Sequence, residues 1–200
     1  MDGRMNVKGR KHPRPLGWRL KLAVAASLAV AMLAGCGQSI PSRTVENYFP
    51  LAMGNRWCWV QATEPADSLV FEIDSSYVMD GITFYRYPDP SGFFDGFWLV
   101  HWNGELRAYI GSPTDTSSRE YTVLLKEPFD VGASWQPPND SEETLRIIDR
   151  DVTLTVPAGT FKHCLQVESN VQGTYYYAPG VGWAAFPDTD EWVLLSYVTK

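Results

Sequence analysis

Beyond residue 36 the chain offers few side chains suited to chemistry: two histidines, His101 and His163, two cysteines, Cys58 and Cys164, and scattered acids. Both histidines fall in phase with apolar neighbours on strand-like stretches. That reads as a core or edge imidazole holding one hydrogen bond. A metal site shared with a nearby Cys or Asp is the alternative, but strand spacing alone does not bring the two together. The acidic runs Asp140-Ser141-Glu142-Glu143 and Asp188-Thr189-Asp190-Glu191 read as solvated loop charge, since neither has the ligand spacing of an EF-hand. There is no Gly-x-Ser-x-Gly, no His-Glu-x-x-His, no paired-cysteine zinc pattern and no phosphate-cradling glycine loop. Two acids at glycosidase separation cannot be picked out of a sequence. The expectation is a protein without catalytic residues, metal or cofactor.

Cys36 is a different case. Seven basic residues lie between Arg4 and Lys21, and an apolar run from Leu22 to Leu33 follows them. The run is too short for a spanning helix, which needs about 20 residues. This is the pattern of an export signal. It ends in Leu33-Ala34-Gly35-Cys36, which resembles the bacterial lipobox. The resemblance implies cleavage before Cys36 and a lipid on its sulfur, so residues 1–35 are expected as signal peptide. Residues 36–47 would be lipidated cysteine and tether, and 48–200 a single domain. Gly37, where an Asp would favour inner-membrane retention, points to the outer membrane, on its periplasmic side. An oxidising compartment then favours one disulfide between Cys58 and Cys164. Absence of Cys-x-x-Cys argues against a thioredoxin-like role.

The elements that must position these residues read as strands. Of 200 residues, 14% are aromatic, and no stretch shows a sustained helical period. From residue 36 on there are 10 basic and 22 acidic residues, a net charge of about −12, which excludes binding to nucleic acid through phosphate contacts. Asn103-Gly104 is a type I′ signal joining strands 97–102 and 105–110. Its register gathers Phe97, Leu99, His101, Leu106, Ala108 and Ile110 on a core face. Trp98, Val100, Trp102, Glu105, Arg107 and Tyr109 lie on the other. Asp80-Gly81 marks a second hairpin. Further strands are expected over 57–62, 69–74, 121–126, 144–149, 151–156, 161–168, 173–178 and 191–198. Pro50 to Trp57 and Pro128 to Trp135 share the spacing P-Φ-x-Φ-G-x-x-W (Φ apolar, x any residue), read as one turn solved twice. Closely spaced strands with turn punctuation predict an all-β fold: a curved antiparallel sheet, half-barrel or sandwich.

Phe49-Pro50-Leu51 with Gly54-Asn55-Arg56-Trp57, then Val131 to Trp135, Val156 to Cys164 and Tyr176 to Trp183, together resemble a family of exported bacterial β-proteins labelled TapB-like. The resemblance implies a curved antiparallel sheet akin to the half-barrels of lipoprotein carriers. It brings no catalytic residues. Tyr176 to Trp183 reads as a structural turn. The abundant aromatics suggest a surface for a hydrophobic ligand or an envelope partner, with Trp98, Trp102 and Tyr109 the candidates for that face. The alternatives are a docking or scaffold subunit with a flat aromatic patch, and a carboxylate-dependent hydrolase.

Overall fold

Among the described residues, alternating apolar residues and positive-φ turns build thirteen strands and one helical turn. The computed structural model describes residues 43–63, 68–88, 96–111, 120–140, 142–187 and 191–200. The expected signal peptide, Cys36 and most of the tether lie outside these residues, as does the acidic run Asp188 to Asp190. Residues 40–200 form one compact unit.

Helix α1 spans Val45–Tyr48, with Thr44 as its N-cap. Val45 and Tyr48 are buried in the core. Strands β1 (Arg56–Gln61) and β2 (Ser68–Glu72) lead into β3 (Ser75–Met79), β4 (Ile82–Tyr87), β5 (Phe97–Trp102), β6 (Glu105–Ile110) and β7 (Tyr121–Lys126). Then come β8 (Ser134–Trp135), β9 (Leu145–Val156), β10 (Gly159–Ser169), β11 (Gly173–Ala178), β12 (Gly182–Phe186) and β13 (Trp192–Val198).

Two antiparallel sheets result. One has the order β2-β1-β13-β12-β11-β10-β9-β8, the other β3-β4-β5-β6-β7. They face each other across a shared core, as an antiparallel sandwich does. Phe71 on β2 stacks on Tyr87 on β4 with centroids 4.5 Å apart. Polar ties cross the same gap: Tyr177 Oη donates to the Leu124 carbonyl at 2.8 Å, and Trp135 Nε1 to that of Val123 at 2.9 Å. Of the expected all-β forms, the two-sheet one is realised.

The β5–β6 hairpin has the expected register, from Trp102 opposite Glu105 to Phe97 opposite Ile110. Asn103 and Gly104 take φ of 49° and 72°, as the turn requires. The repeated P-Φ-x-Φ-G-x-x-W segments also share their backbone. Gly54 N–H bonds the Ile73 carbonyl at 2.9 Å, and Ile73 N–H bonds that of Asn55 at 2.8 Å. In the second copy Gly132 bonds Ile147 at 2.8 Å, and Ile147 bonds Ala133 at 2.9 Å. Each copy ends in a buried Trp; a five-strand meander, β9 to β13, follows the second directly, and one of β3 to β7 follows the first after β2.

The expected disulfide is not formed: Cys58 and Cys164 are both free thiols. β1 pairs with β2 and β13, while β10 pairs with β9 and β11, so the two cysteines stand opposite other residues. Cys58 faces Val70 and Ser196, and Cys164 faces Val152. Strict alternation would also turn Cys164 away from the core. Instead His163 adopts φ 60°, the register slips there, and Cys164 becomes fully buried beside Leu165.

Candidate functional site

The two histidines make structural hydrogen bonds. His101 on β5 bonds the Phe49 carbonyl through Nε2 at 2.9 Å, pinning the end of α1. Burial lowers its pKa, against the opposing pull of that carbonyl and of Glu46. His163 bonds Asp151 through Nδ1, and its own carbonyl accepts from Tyr48 Oη at 2.8 Å. That bond to His163 holds the Asp151 carboxyl below its ordinary value. Among the described residues, no group of three or more His, Cys, Asp or Glu is placed to hold a metal ion.

Trp98, Trp102 and Tyr109 stand on the face of the five-stranded sheet turned away from the core. Trp98 is opposite Tyr109, and Trp102 opposite Glu105. Tyr109 packs edge-on to Phe84 at 5.6 Å and lies 5.1 Å from Tyr121, over whose ring the Arg107 guanidinium sits at 4.8 Å. Glu105 bonds Arg107 at 2.7 Å and Lys126 at 2.8 Å. Burial pushes Glu105 up, but these two cations outweigh it and hold the carboxyl below its ordinary value. Much of this face is therefore covered by its own side chains. Trp102 is the exposed member of the trio.

A cavity of about 320 Å³ lies between the sheets. Phe71, Tyr87, Leu99, Tyr177, Trp183 and Phe186 form much of its wall, contributed by strands of both sheets. None of the trio lines it. The size is at the lower end of small-molecule sites, and the mixture of a mainly apolar wall with a few polar groups is typical of them. The polar groups in the lining include the Tyr87 hydroxyl, Thr122, Glu143, Gln172, Tyr175 and Tyr177.

Glu143, Gln172, Tyr175 and Tyr177 belong to the end of the larger sheet where β9, β10 and β11 meet. Glu143 precedes β9 and is 6% exposed. Its Oε1 accepts from Ser169 Oγ at 2.6 Å, and its backbone N–H donates to Asp140 Oδ1 at 3.1 Å. Ser169 Oγ also accepts the backbone N–H groups of Val171 and Gln172, at 3.2 and 3.0 Å, shaping the tight β10–β11 turn. Tyr175 Oη donates to Gln172 Oε1. Burial raises the Tyr175 and Tyr177 hydroxyls, and the Glu143 charge adds to both shifts. Both tyrosines are therefore neutral hydrogen-bonding groups at any physiological pH. The Trp183 Nε1–H is buried without a partner of hydrogen-bond geometry, although it acts on the Tyr177 hydroxyl.

Sequence reasoning missed this site. It placed Glu143 in a solvated acidic loop, whereas Glu143 is buried and its hydrogen-bond partner, Ser169, is 26 residues away. It took Trp183 as the end of a turn, although Gly182 begins a strand.

No family model matches this chain, and no curated protein matches it. Solved structures similar to it include a protein described as a lipoprotein from Parabacteroides distasonis. That similarity has 16% identity and a TM-score of 0.40, and covers 76% of this chain and 98% of the other. Another is described as an exported protein with a YmcC-like fold from Bacteroides fragilis, at 15% identity and a TM-score of 0.41, with the same coverages of 76% and 98%. Both superpose too loosely for fold or function to be carried across. The TapB-like resemblance likewise finds no matching family.

Proposed function

We propose that this chain is a lipid-anchored envelope protein that holds an apolar ligand between its two sheets without transforming it. The observation behind the reading is the cavity of about 320 Å³, walled mainly by aromatic and aliphatic side chains, with the exposed Gln172 in its lining. Its described polar lining has one carboxyl and no histidine. The wall thus lacks the paired carboxylates of a glycosidase and a histidine base for a nucleophile. The anchor rests on the lipobox at Cys36, and the outer-membrane address on Gly37. Labelling cells with a radioactive fatty acid would test the anchor: wild type should take up label and Cys36→Ser should not.

Filling the cavity tests the ligand reading. Thr122 lines it from β7 and is only partly buried, so a larger side chain there intrudes on the cavity rather than on the packed core. Residues 40–200 should bind a medium-chain alcohol such as 1-decanol, measured by calorimetry. Thr122→Phe should weaken that binding at least tenfold while keeping the unfolding midpoint. Equal binding by the variant would place the alcohol elsewhere and contradict the reading.

The partner-docking alternative draws on Trp102, whose ring is 38% exposed on the outer sheet face. Trp102→Ala should leave decanol binding unchanged if the cavity is the site.

A further inference from the structure

Glu143 is the feature that an apolar cavity does not explain. A buried carboxyl ordinarily has a cation or several donors around it, because leaving one short of partners costs several kcal/mol. Glu143 has one side-chain partner, Ser169, on Oε1. Among the described residues no Lys, Arg or His lies within ion-pair distance of it. It nevertheless lines the cavity, and its second oxygen is not among the fully buried atoms that lack a partner. Glu143 thus stands in the cavity lining with a single side-chain partner and, among the described residues, no cation in ion-pair contact.

The surroundings fit one kind of group. Tyr175 lies 6.4 Å from Trp183 between ring centroids, and Tyr177 lies 6.2 Å from it. These rings share the cavity wall with Glu143, and the carboxyl is near enough to act electrostatically on both tyrosines. Electron-rich faces beside a carboxylate attract a positive charge, more strongly where water is excluded. A phosphate or fatty-acid head would meet repulsion from Glu143 instead. The acidic balance of the chain adds long-range attraction for cations.

Resting on the apolar-ligand reading above, we propose that the cavity takes an amphiphile with a positively charged amine head. The ammonium pairs with Glu143 against Tyr175, Tyr177 and Trp183, and the hydrocarbon body lies along Phe71, Leu99 and Phe186. Ser169 is a positioning residue, holding the carboxyl so that one oxygen faces the cavity.

The test compares three probes of equal chain length on residues 40–200: decylamine, 1-decanol and decanoate. Affinity is read by calorimetry below the critical micelle concentration. Decylamine should bind at least tenfold more tightly than decanol, with decanoate the weakest. Glu143→Gln should bring decylamine to within about threefold of decanol, and its urea midpoint reports whether the fold is intact. If that variant fails to fold, Glu143→Asp serves, since it keeps the charge and should keep the preference for the amine. Lysophosphatidylethanolamine separates two sources of an ammonium. Tight binding that Glu143→Gln abolishes points to a phospholipid head, and binding of decylamine alone points to a free amine. Equal affinity for amine and alcohol, or tightest binding of decanoate, would overturn the head-group proposal while leaving the apolar cavity standing. If none of the three binds, the cavity reading falls with it.

Discussion

Cys164 and Cys58 show how much a side chain's surroundings decide its chemistry. Burial pushes the Cys164 thiol up to about 11, so it stays protonated and unreactive near neutral pH. Cys58 is partly exposed. Iodoacetamide at pH 8 should therefore label Cys58 in the native protein and reach Cys164 only after denaturation, as read by peptide mass spectrometry. Equal labelling of both in the native state would contradict the burial of Cys164. The sequence could not show this, because the one-residue slip at His163 that turns Cys164 inward leaves no mark in residue alternation.

His101 makes a pH prediction of definite sign. Its folded pKa lies below the ordinary 6.5, because burial disfavours the charged ring. The unfolded chain takes up a proton near 6.5 and the folded chain does so only at lower pH. Stability present above that value is therefore lost as pH falls through it, and the loss levels off below the folded pKa. Urea midpoints should fall between pH 7 and pH 5. His101→Gln can still donate to the Phe49 carbonyl, and it should flatten that fall. The same slope in both proteins would show that His101 does not carry it.

Among the elements, the hairpins were the most legible. Asn-Gly and Asp-Gly turns set both conformation and register over two residues, so β5 and β6 could be paired residue by residue. Strand β7 and strand β11 match their expected bounds for the same local reason, a run of β-forming residues between turn signals. The misreadings occur where neighbours rather than local pattern decide. β8 has two residues and exists through pairing with Leu145 and Arg146. β9 was read as two strands because charged Asp149-Arg150-Asp151 interrupts it, yet the sheet carries it through with its register slipping. The two P-Φ-x-Φ-G-x-x-W segments were legible as a repeated turn. Their matching pairing with Ile73 and Ile147 was not, because those partners lie 19 and 15 residues beyond the glycines.

Gly182 joins an element to its packing. Its φ is +104°, and an added Cβ would come within 3.2 Å of the Phe49 ring. The neighbouring Val181 carbonyl accepts the Trp57 indole N–H at 2.6 Å, so this turn fastens β1 to β12. Gly81 has φ +78° and open space where a Cβ would lie. Gly81→Ala should cost about 1–2 kcal/mol for the left-handed backbone alone. Gly182→Ala should cost more, about 3 kcal/mol or above, because a clash in a close-packed core adds to the strain. Urea denaturation of both variants checks the order, and a smaller loss at Gly182 would contradict the packing described.

At the scale of the molecule, a meander in each sheet and a shared aromatic core enclose the cavity between the sheets. The all-β class followed from turn spacing and aromatic content. The position of the cavity did not, because Phe71, Leu99, Tyr177 and Trp183 meet only when the two sheets face each other. The aromatic trio on the outer sheet face drew notice for its closeness in sequence, whereas the cavity wall is assembled from distant segments. Gentle native mass spectrometry of the protein exported with Cys36→Ser is the most direct test of a ligand held between the sheets. The account predicts a mass above that of the polypeptide by one small amphiphile, lost in Thr122→Phe. A bare polypeptide mass, the same in wild type and variant, would contradict it.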